Sequence, residues 1–272
     1  MVNNQNKKVA IVTGGGRGLG RAMALELCEA GMHVVITSAR EYEEIKKVAR
    51  DANDKAGDER IKPVKADVTE ETDCTAVVDF AISAFGRIDI LVNNAGRGMK
   101  YVSQNFMTKP TKFWEVEPET WRTIIGTNVN GPFFMARSVI PHMLSNKWGR
   151  IINISMNHET MRRKGFSPYG PSKAALESET IIWSQDLEGT GITVNALLPG
   201  GASNTGMIPD SIPDEIRLKL LDPGIMIPPL LWLISGEADS FTGKRINASK
   251  WDTSLPADKA AEKANESAGW VI

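Results

Sequence analysis

The sequence predicts an α/β fold in one domain, with a doubly wound parallel sheet that carries helices on both faces. Three observations lead to this prediction. Short apolar runs alternate with amphipathic segments along most of the chain, a glycine-rich turn joins the first run to the first amphipathic segment, and 272 residues suit one large domain. Ligands of such sheets bind outside the carboxyl ends of the strands, so the residues that follow each strand are candidates for a site.

The first strand and the first helix flank the glycine turn at residues 13–20. Residues 9–12 predict a short buried strand, and apolar side chains recur every four positions from Leu19 until Gly31 ends the helix. Glycines at this turn let the backbone approach a pyrophosphate, whose charge meets free N–H groups and the positive end of the helix dipole. The turn therefore predicts a nucleotide site, although glycines between a strand and a helix can also serve only to form the turn.

The remaining elements follow in alternation. The predicted strands cover residues 34–37, 61–66, 88–92, 150–155, 192–197 and 245–248. The predicted helices cover residues 41–52, 69–85, 121–128, 132–144 and 171–187, with a short helix after Pro213, a buried helix within 225–234 and a helical tail at 256–265.

Composition argues against several classes of function. The 32 basic and 33 acidic side chains leave a net charge of −1, which gives no electrostatic case for binding nucleic acid. Cys28 and Cys74 show no disulfide or metal-ligand spacing, and we predict no metal site. Residues 1–8 lack the apolar region of a secretory signal, and the longest apolar run, 225–234, is too short to span a bilayer. We expect a cytoplasmic protein that binds no membrane.

The position after the second strand bears on the choice of cofactor. In a nucleotide-binding sheet this position faces the adenosine ribose, where a carboxylate would bind the 2′-hydroxyl and repel a 2′-phosphate. The sequence has Ser38 and Arg40 there, and Arg17 lies in the glycine turn. Two guanidinium groups suit a phosphate by their bidentate geometry, so the sequence predicts NADP(H) in preference to NAD(H). The alternative is that both arginines are solvated surface residues.

Tyr169 and Lys173 lie four residues apart at the start of a long predicted helix and therefore share one face. A phenol has a reference pKa of about 10, and an adjacent ammonium lowers the pKa because it favours the phenolate. Tyr169 is thus a candidate general acid for a carbonyl that is being reduced. Taken alone, a tyrosine and a lysine at this spacing more often form an exposed helix face.

Together, these features resemble the short-chain dehydrogenase/reductase family. The matching motifs occur in the family's order at residues 13–20, 93–96, 127–131, 169–173 and 199–200. The match covers roughly residues 8–248. The glycine turn has the spacing Gly14-x-x-x-Gly18-x-Gly20, which differs from the general G-x-G-x-x-G fingerprint. The resemblance implies a Rossmann-like fold and hydride transfer between NADP(H) and a carbonyl/alcohol pair on a small molecule. It also implies a homodimer or homotetramer, built through the helices at 132–144 and 171–187.

The resemblance also assigns roles to individual residues. Tyr169 is the implied proton donor, Lys173 binds the nicotinamide ribose and tunes Tyr169, and Asn128 holds a water in a proton relay. The cofactor contacts expected besides Tyr169, Lys173, Ser38 and the two arginines are Gly14, Gly18, Leu19, Gly20, Asp67, Val68, Asn94, Ala95, Gly96, Pro199, Gly200 and Thr205.

One departure from the family pattern concerns the reaction. The family has a catalytic serine thirteen positions before the tyrosine, where this chain has Met156. A thioether cannot donate a hydrogen bond to the reacting oxygen, and loss of one such donor costs on the order of a hundredfold in rate. Asn157 and His158 are candidates to replace it, as is Ser155, provided that the strand end is irregular. Met156 and His158 are predicted to face the substrate.

Three segments bear on the substrate. Residues 97–120 form an insertion rich in aromatic and methionine side chains, which predicts a pocket wall for an apolar or aromatic substrate. A subunit interface is the alternative role for these side chains. The basic residues 162–164 would suit an anionic substrate, although such a cluster is usually a solvated turn. The substrate lid at 206–221 is compact, which predicts a fairly open cleft.

The predicted domain covers residues 1–250, and residues 251–272 form a C-terminal tail. The tail is polar but ends in the apolar run 270–272, and we hypothesise that it crosses to a neighbouring subunit.

Two other functions are consistent with Met156. One is reduction of an imine or an activated alkene, and the other is an NADP-binding sensor whose catalysis has weakened. The presence of Tyr169, Lys173 and Asn128 argues against the sensor, because a protein that only binds needs no proton relay.

Overall fold

The computed structural model describes residues 7–269, in which eight strands form one sheet. The strands are Val9–Thr13 (β1), His33–Ser38 (β2), Ile61–Lys65 (β3), Ile90–Asn93 (β4), Gly149–Ile154 (β5), Ile192–Leu198 (β6), Lys244–Asn247 (β7) and Asn265–Ser267 (β8). Their order is β3-β2-β1-β4-β5-β6-β7-β8. All neighbouring pairs are parallel except the last, so the predicted doubly wound sheet is confirmed with one antiparallel edge strand added.

Ten α-helices accompany the sheet in the described part of the chain. They are Gly18–Glu29 (α1), Tyr42–Ala56 (α2), Glu71–Phe85 (α3), Pro118–Ile125 (α4), Gly131–Asn146 (α5), His158–Met161 (α6), Tyr169–Asp186 (α7), Asp214–Arg217 (α8), Ile227–Leu233 (α9) and Ala257–Ala264 (α10). The predicted helices are present, with ends displaced by a few residues. The short helix after Pro213 and the buried helix within 225–234 are confirmed as α8 and α9.

The core has two layers, one on each face of the sheet. Side chains along a strand alternate between the faces, so Val12 packs with Met23 of α1 whereas Ile11 packs with Val77 of α3 and Met135 of α5. Helices α2 and α9 complete the first layer. With both faces covered, the central strands β1, β4 and β6 are mainly apolar.

The helices predicted at 121–128 and 132–144 are continuous in the structure. A π-helical turn, Gly126–Asn130, joins α4 directly to α5. This wide turn places the side chain of Asn128 in the interior, where it is fully buried. A π-helical insertion inside a helix commonly marks a functional position.

The described part of the C-terminal tail folds onto its own chain. The predicted tail helix is confirmed as α10, but the strand that follows it was not predicted. Strand β8 pairs antiparallel with β7, with Lys244 opposite Ser267 and Ile246 opposite Asn265. The apolar run 270–272 lies outside the described residues, and contact of the tail with another subunit stays a prediction.

Within residues 7–269, no helix combines the length and apolar character that crossing a membrane requires. Both cysteines are buried free thiols in the two core layers.

Candidate active site

A cleft of about 1190 Å³ opens at the edge where the parallel strands end. The glycine turn after β1 lines one end, and Tyr169 and Met156 line another part of it. Every cofactor residue predicted from the sequence lines this cleft except Gly20. The topology therefore assembles in one cavity residues that are up to 191 positions apart, from Gly14 to Thr205.

Hydrogen bonds between side chains and the backbone fix the shape of the glycine turn. Gly14 and Gly18 have φ angles of +66° and +54°, a region that residues with a Cβ rarely adopt. The Asn94 amide Nδ2 donates to the carbonyl oxygens of Thr13 at 2.8 Å and Gly14 at 3.1 Å. In return, the hydroxyl of Thr13 accepts from the Asn94 backbone N–H at 3.0 Å. These bonds bind the loop after β1 to the loop after β4.

Gly20 packs against Asn94 and Gly14 and does not line the cleft. A Cβ at this position would overlap the amide group of Asn94 and the carbonyl oxygen of Gly14. Gly20 therefore has a packing role, and its implied cofactor contact stays a prediction. The missing Cβ atoms of the turn provide the close backbone approach that a dinucleotide pyrophosphate needs, so the turn fits a nicotinamide cofactor.

Asn128 braces two segments beside the cleft. Its Oδ1 accepts from the Arg97 N–H at 2.8 Å, and its Nδ2 donates to the Arg97 carbonyl at 3.0 Å and to Ser172 Oγ at 2.9 Å. Ser172 Oγ donates in turn to the Tyr169 carbonyl at 2.7 Å. Asn128 therefore connects the loop after β4 with the first turn of α7, and its relay water stays a prediction.

Tyr169 and Lys173 line the cleft from the start of α7. Lys173 Nζ donates to the Ile154 carbonyl at 2.7 Å. Burial lowers the pKa of Lys173 to about 8, while the carboxylate of Glu177 acts in the opposite direction. Burial raises the pKa of Tyr169 to about 12. The predicted lowering of the Tyr169 pKa by Lys173 is thus not observed, because loss of solvation around the phenol dominates.

Met156 lies just after β5 and lines the cleft, and its contact with the substrate stays a prediction. The three candidate replacements for its missing hydrogen bond are engaged elsewhere. Ser155 Oγ donates to Glu177 Oε1 at 2.5 Å, and Asn157 Nδ2 donates to the Gly200 carbonyl at 2.8 Å. His158 Nε2 lies 3.0 Å from Glu177 Oε2, and His158 does not line the cleft. The ring of His158 thus contacts the buried carboxylate, and its contact with the substrate stays a prediction.

A buried ion pair behind the cleft was not predicted. Arg245 Nη1 lies 3.1 Å from Glu177 Oε1, and both side chains are about 1% exposed. Arg245 Nη2 donates to the Met156 carbonyl at 3.0 Å, and its Nε lies 3.2 Å from Glu266 Oε2 of β8. The backbone N–H of Gly269 donates to Glu177 Oε2 at 3.1 Å. The sequence does show a glutamate one turn after Lys173 and an arginine within a predicted strand.

The insertion at 97–120 divides into two parts. Met99, Tyr101, Phe106 and Met107 line the cleft, which gives it the apolar and aromatic wall predicted from the sequence. Phe113 and Trp114 lie outside the cleft and are largely exposed. The pocket-wall interpretation therefore applies to the first part only.

Other predicted segments contribute to the same wall. Arg163 and Lys164 of the basic cluster line the cleft, as do Met207 and Ile208 of the compact lid. Phe106 of the insertion packs edge-on against Phe166 at 6.0 Å between ring centroids. In residues 7–269, no group of three or more histidine, cysteine, aspartate or glutamate side chains could hold a metal ion.

Comparison with known proteins agrees with this arrangement. The short chain dehydrogenase family model matches residues 8–215. The chain is 31% identical to a 3-oxoacyl-[acyl-carrier-protein] reductase of Staphylococcus aureus, over 79% of this chain and 81% of the relative. It is 37% identical to a short-chain type dehydrogenase/reductase of Picea abies, over 71% of this chain and 70% of the relative.

A solved structure extends the similarity to nearly the whole fold. The 3-ketoacyl-(acyl-carrier-protein) reductase of Brucella melitensis, complexed with NADH, superposes with a TM-score of 0.77 at 32% identity. The superposition covers 88% of this chain and 96% of that one. The sequence match, the order of the strands and the cleft at their carboxyl ends together show that this chain belongs to the short-chain dehydrogenase/reductase family.

Proposed function

We propose that this oxidoreductase transfers a hydride between NADP(H) and a carbonyl/alcohol pair on a small apolar or aromatic molecule. The observation that carries the proposal is a single cleft, which combines the glycine turn with Tyr169 and Lys173. The methionine and aromatic side chains of the insertion line the same cleft and favour an apolar substrate.

Tyr169 acts as the proton donor in the proposed reduction. Because burial raises its pKa to about 12, the side chain stays a phenol at neutral pH and can donate to the carbonyl oxygen. The bound cofactor would supply the hydride. Lys173 has three N–H donors, of which one is fixed on the Ile154 carbonyl, so two are left for the nicotinamide ribose and for Tyr169.

The preference for NADP(H) rests on Arg17 and Arg40. Both line the cleft, and in the described part of the chain neither forms an ion pair with a carboxylate. A 2′-phosphate would provide the missing counter-charge through bidentate hydrogen bonds. The Brucella melitensis relative is complexed with NADH, so the cofactor has to be compared directly for this chain.

Steady-state turnover of a carbonyl panel tests the proposed reaction. Purified protein is assayed with NADPH and with NADH on ketones, aldehydes and a 3-oxoacyl thioester, the last suggested by the names of the relatives. We expect Tyr169→Phe to lower the turnover number at least a hundredfold. Tyr42→Phe is the matched control, because this tyrosine of α2 loses the same hydroxyl but does not line the cleft. Turnover that is equal in wild type and Tyr169→Phe would refute the role of the phenol.

Met156 favours a second candidate function. With Ser155, Asn157 and His158 bonded to other groups, the cleft has a weaker set of donors for a carbonyl oxygen. An imine or an activated alkene needs less of this polarisation, and a cofactor-binding sensor needs none. Turnover of imines or alkenes without ketone turnover supports the first, and tight NADPH binding without any turnover above Tyr169→Phe supports the second.

A homodimer or homotetramer is the proposed assembly. Helices α5 and α7 carry large apolar side chains that are exposed in the single chain, namely Phe133, Leu144 and Ile182. Burial of such residues against a second copy stabilises a symmetric interface. A mass in solution equal to one chain would contradict the proposal. A cytoplasmic location stays a prediction.

A further inference from the structure

Three arginines follow three neighbouring strands of the sheet. Strand β1 lies between β2 and β4, with Val12 paired to Ile36 on one side and to Val92 on the other. Arg40 comes after β2, Arg17 after β1 and Arg97 after β4. All three line the same cleft. The topology thus brings together two arginines assigned to the adenosine end and a third, Arg97, to which the family motifs give no role.

The position of Arg97 is fixed at both its backbone and its side chain. Asn128 bonds the N–H and the carbonyl oxygen of Arg97, at 2.8 Å and 3.0 Å. The guanidinium carbon lies 4.8 Å from the centroid of the Tyr101 ring, which is a stacking contact with the insertion. The Nε atom is buried, and in residues 7–269 it has no hydrogen-bond partner. Arg97 is therefore held in place while part of its hydrogen-bonding capacity is unused.

The charges around Arg97 are unbalanced. Burial and the neighbouring charges of Arg40 and Arg17 lower the pKa of Arg97, whereas Asp67 raises it. Asp67 Oδ1 already accepts from the hydroxyl of Thr69 at 2.8 Å and from its N–H at 3.0 Å. Over the described residues, no carboxylate forms an ion pair with any of the three arginines. Glu41, Glu44 and Asp67 also line the cleft, but three guanidinium groups without a directly paired carboxylate still favour an anionic ligand.

We propose that Arg97 is a third guanidinium of the 2′-phosphate site and determines the preference for NADP(H) over NAD(H) together with Arg17 and Arg40. This inference rests on the proposed NADP(H)-dependent function. A phosphate monoester carries nearly two negative charges and three acceptor oxygens, so it can engage several guanidinium groups at once. Stacking on Tyr101 holds the side chain in advance and reduces the entropy lost on binding.

Equilibrium binding to the Arg97→Met variant tests the proposal. Methionine keeps an apolar stem against Tyr101 but removes the charge and the donors. The dissociation constants of NADPH, NADH, 2′,5′-ADP and 5′-AMP are measured by calorimetry for wild type and variant. We expect binding of NADPH and 2′,5′-ADP to weaken roughly ten- to a hundredfold, with NADH and 5′-AMP changed less than twofold.

Arg21→Met is the matched control. Arg21 is exposed one turn after Arg17 on α1, and it does not line the cleft. Its loss removes the same charge without touching the proposed site, so we expect less than a threefold change for NADPH.

The outcomes separate this inference from the proposed function. If wild type prefers NADPH and Arg97→Met keeps that preference, the role of Arg97 is refuted and the proposed cofactor stands. If Arg97→Met weakens NADPH and NADH equally, Arg97 contacts a part common to both cofactors, and the 2′-phosphate assignment is wrong. If wild type binds NADPH and NADH equally, the cofactor preference itself fails and this inference fails with it.

Discussion

Replacing Met156 by serine places a hydrogen-bond donor at the end of β5, where the family pattern has one. The Met156 carbonyl accepts from Arg245 at 3.0 Å, and the preceding Ser155 is anchored on Glu177 at 2.5 Å. These bonds hold the backbone, so the new hydroxyl points into the cleft as the thioether does. A donor fully adapted to the reacting oxygen contributes on the order of a hundred- to a thousandfold in rate.

The expected gain is smaller than that full value, because a serine side chain is shorter than methionine and the surrounding wall is shaped for the thioether. We expect Met156→Ser to raise kcat/KM for ketone reduction about ten- to a hundredfold, which corresponds to about 1.4–2.7 kcal/mol of transition-state stabilisation. The gain should appear in kcat, because the bond strengthens as charge develops on the oxygen.

The assay follows oxidation of NADPH in three variants. Met156→Ala removes the thioether without adding a donor. The ratio of the rates of the serine and alanine variants therefore separates the effect of the hydroxyl from the effect of the smaller side chain. Adding Tyr169→Phe to Met156→Ser should abolish the gain if both groups act on one oxygen. Equal rates for the serine and alanine variants would refute the reasoning.

Three further predictions concern the groups around the cleft. Glu177→Ala leaves the Arg245 charge buried and short of a partner, so we expect the free energy of unfolding to fall by about 3–5 kcal/mol in a denaturant titration; a fall below about 1 kcal/mol would contradict this. Because burial lowers the pKa of Lys173 to about 8, its ammonium is present below that pH and is lost above it; kcat/KM for reduction should fall as the pH rises through about 8, and a flat profile up to pH 10 would show that the ammonium is not needed. Gly20→Ala places a Cβ against Asn94 and Gly14, so we expect NADPH binding to weaken at least tenfold in calorimetry; Gly236→Ala, whose Cβ would have only a distant neighbour in Asp239, is the control, and equal affinities of the two variants would contradict the packing role.

Local patterns in the sequence predicted most of the fold and the outline of the site. Strands β1, β2, β4, β5 and β6 contain short apolar runs, and the glycine turn follows β1, so these local patterns located most of the sheet and its first turn. Strand β8 was not predicted, because its residues Asn265–Ser267 show no alternation of apolar side chains. Its pairing depends on the free edge of β7, which no local pattern reveals.

The parts of the site that were not predicted depend on contacts between distant residues. Glu177 and Arg245 are 68 positions apart, and only the sheet brings them together. Glu177 also engages Ser155 and His158, two of the candidates for the missing hydrogen bond. The pKa of Tyr169 was expected in the wrong direction for a similar reason, because a spacing of four residues indicates a charged neighbour but not the loss of solvent around the phenol.

The bond from Gly269 to Glu177 has a consequence for how the protein is made. Chains emerge from the ribosome from the N-terminal end, and Glu177 is synthesised 92 residues before the group that completes its set of partners. Arg245 is likewise synthesised before its ion-pair partner Glu266 of β8. Glu177 and Arg245, which bond Ser155 and the Met156 carbonyl, therefore have all their partners only after residues 265–269 have emerged. Residues 265–269 thus contribute to the groups behind the candidate active site, although they are far from Met156 in sequence.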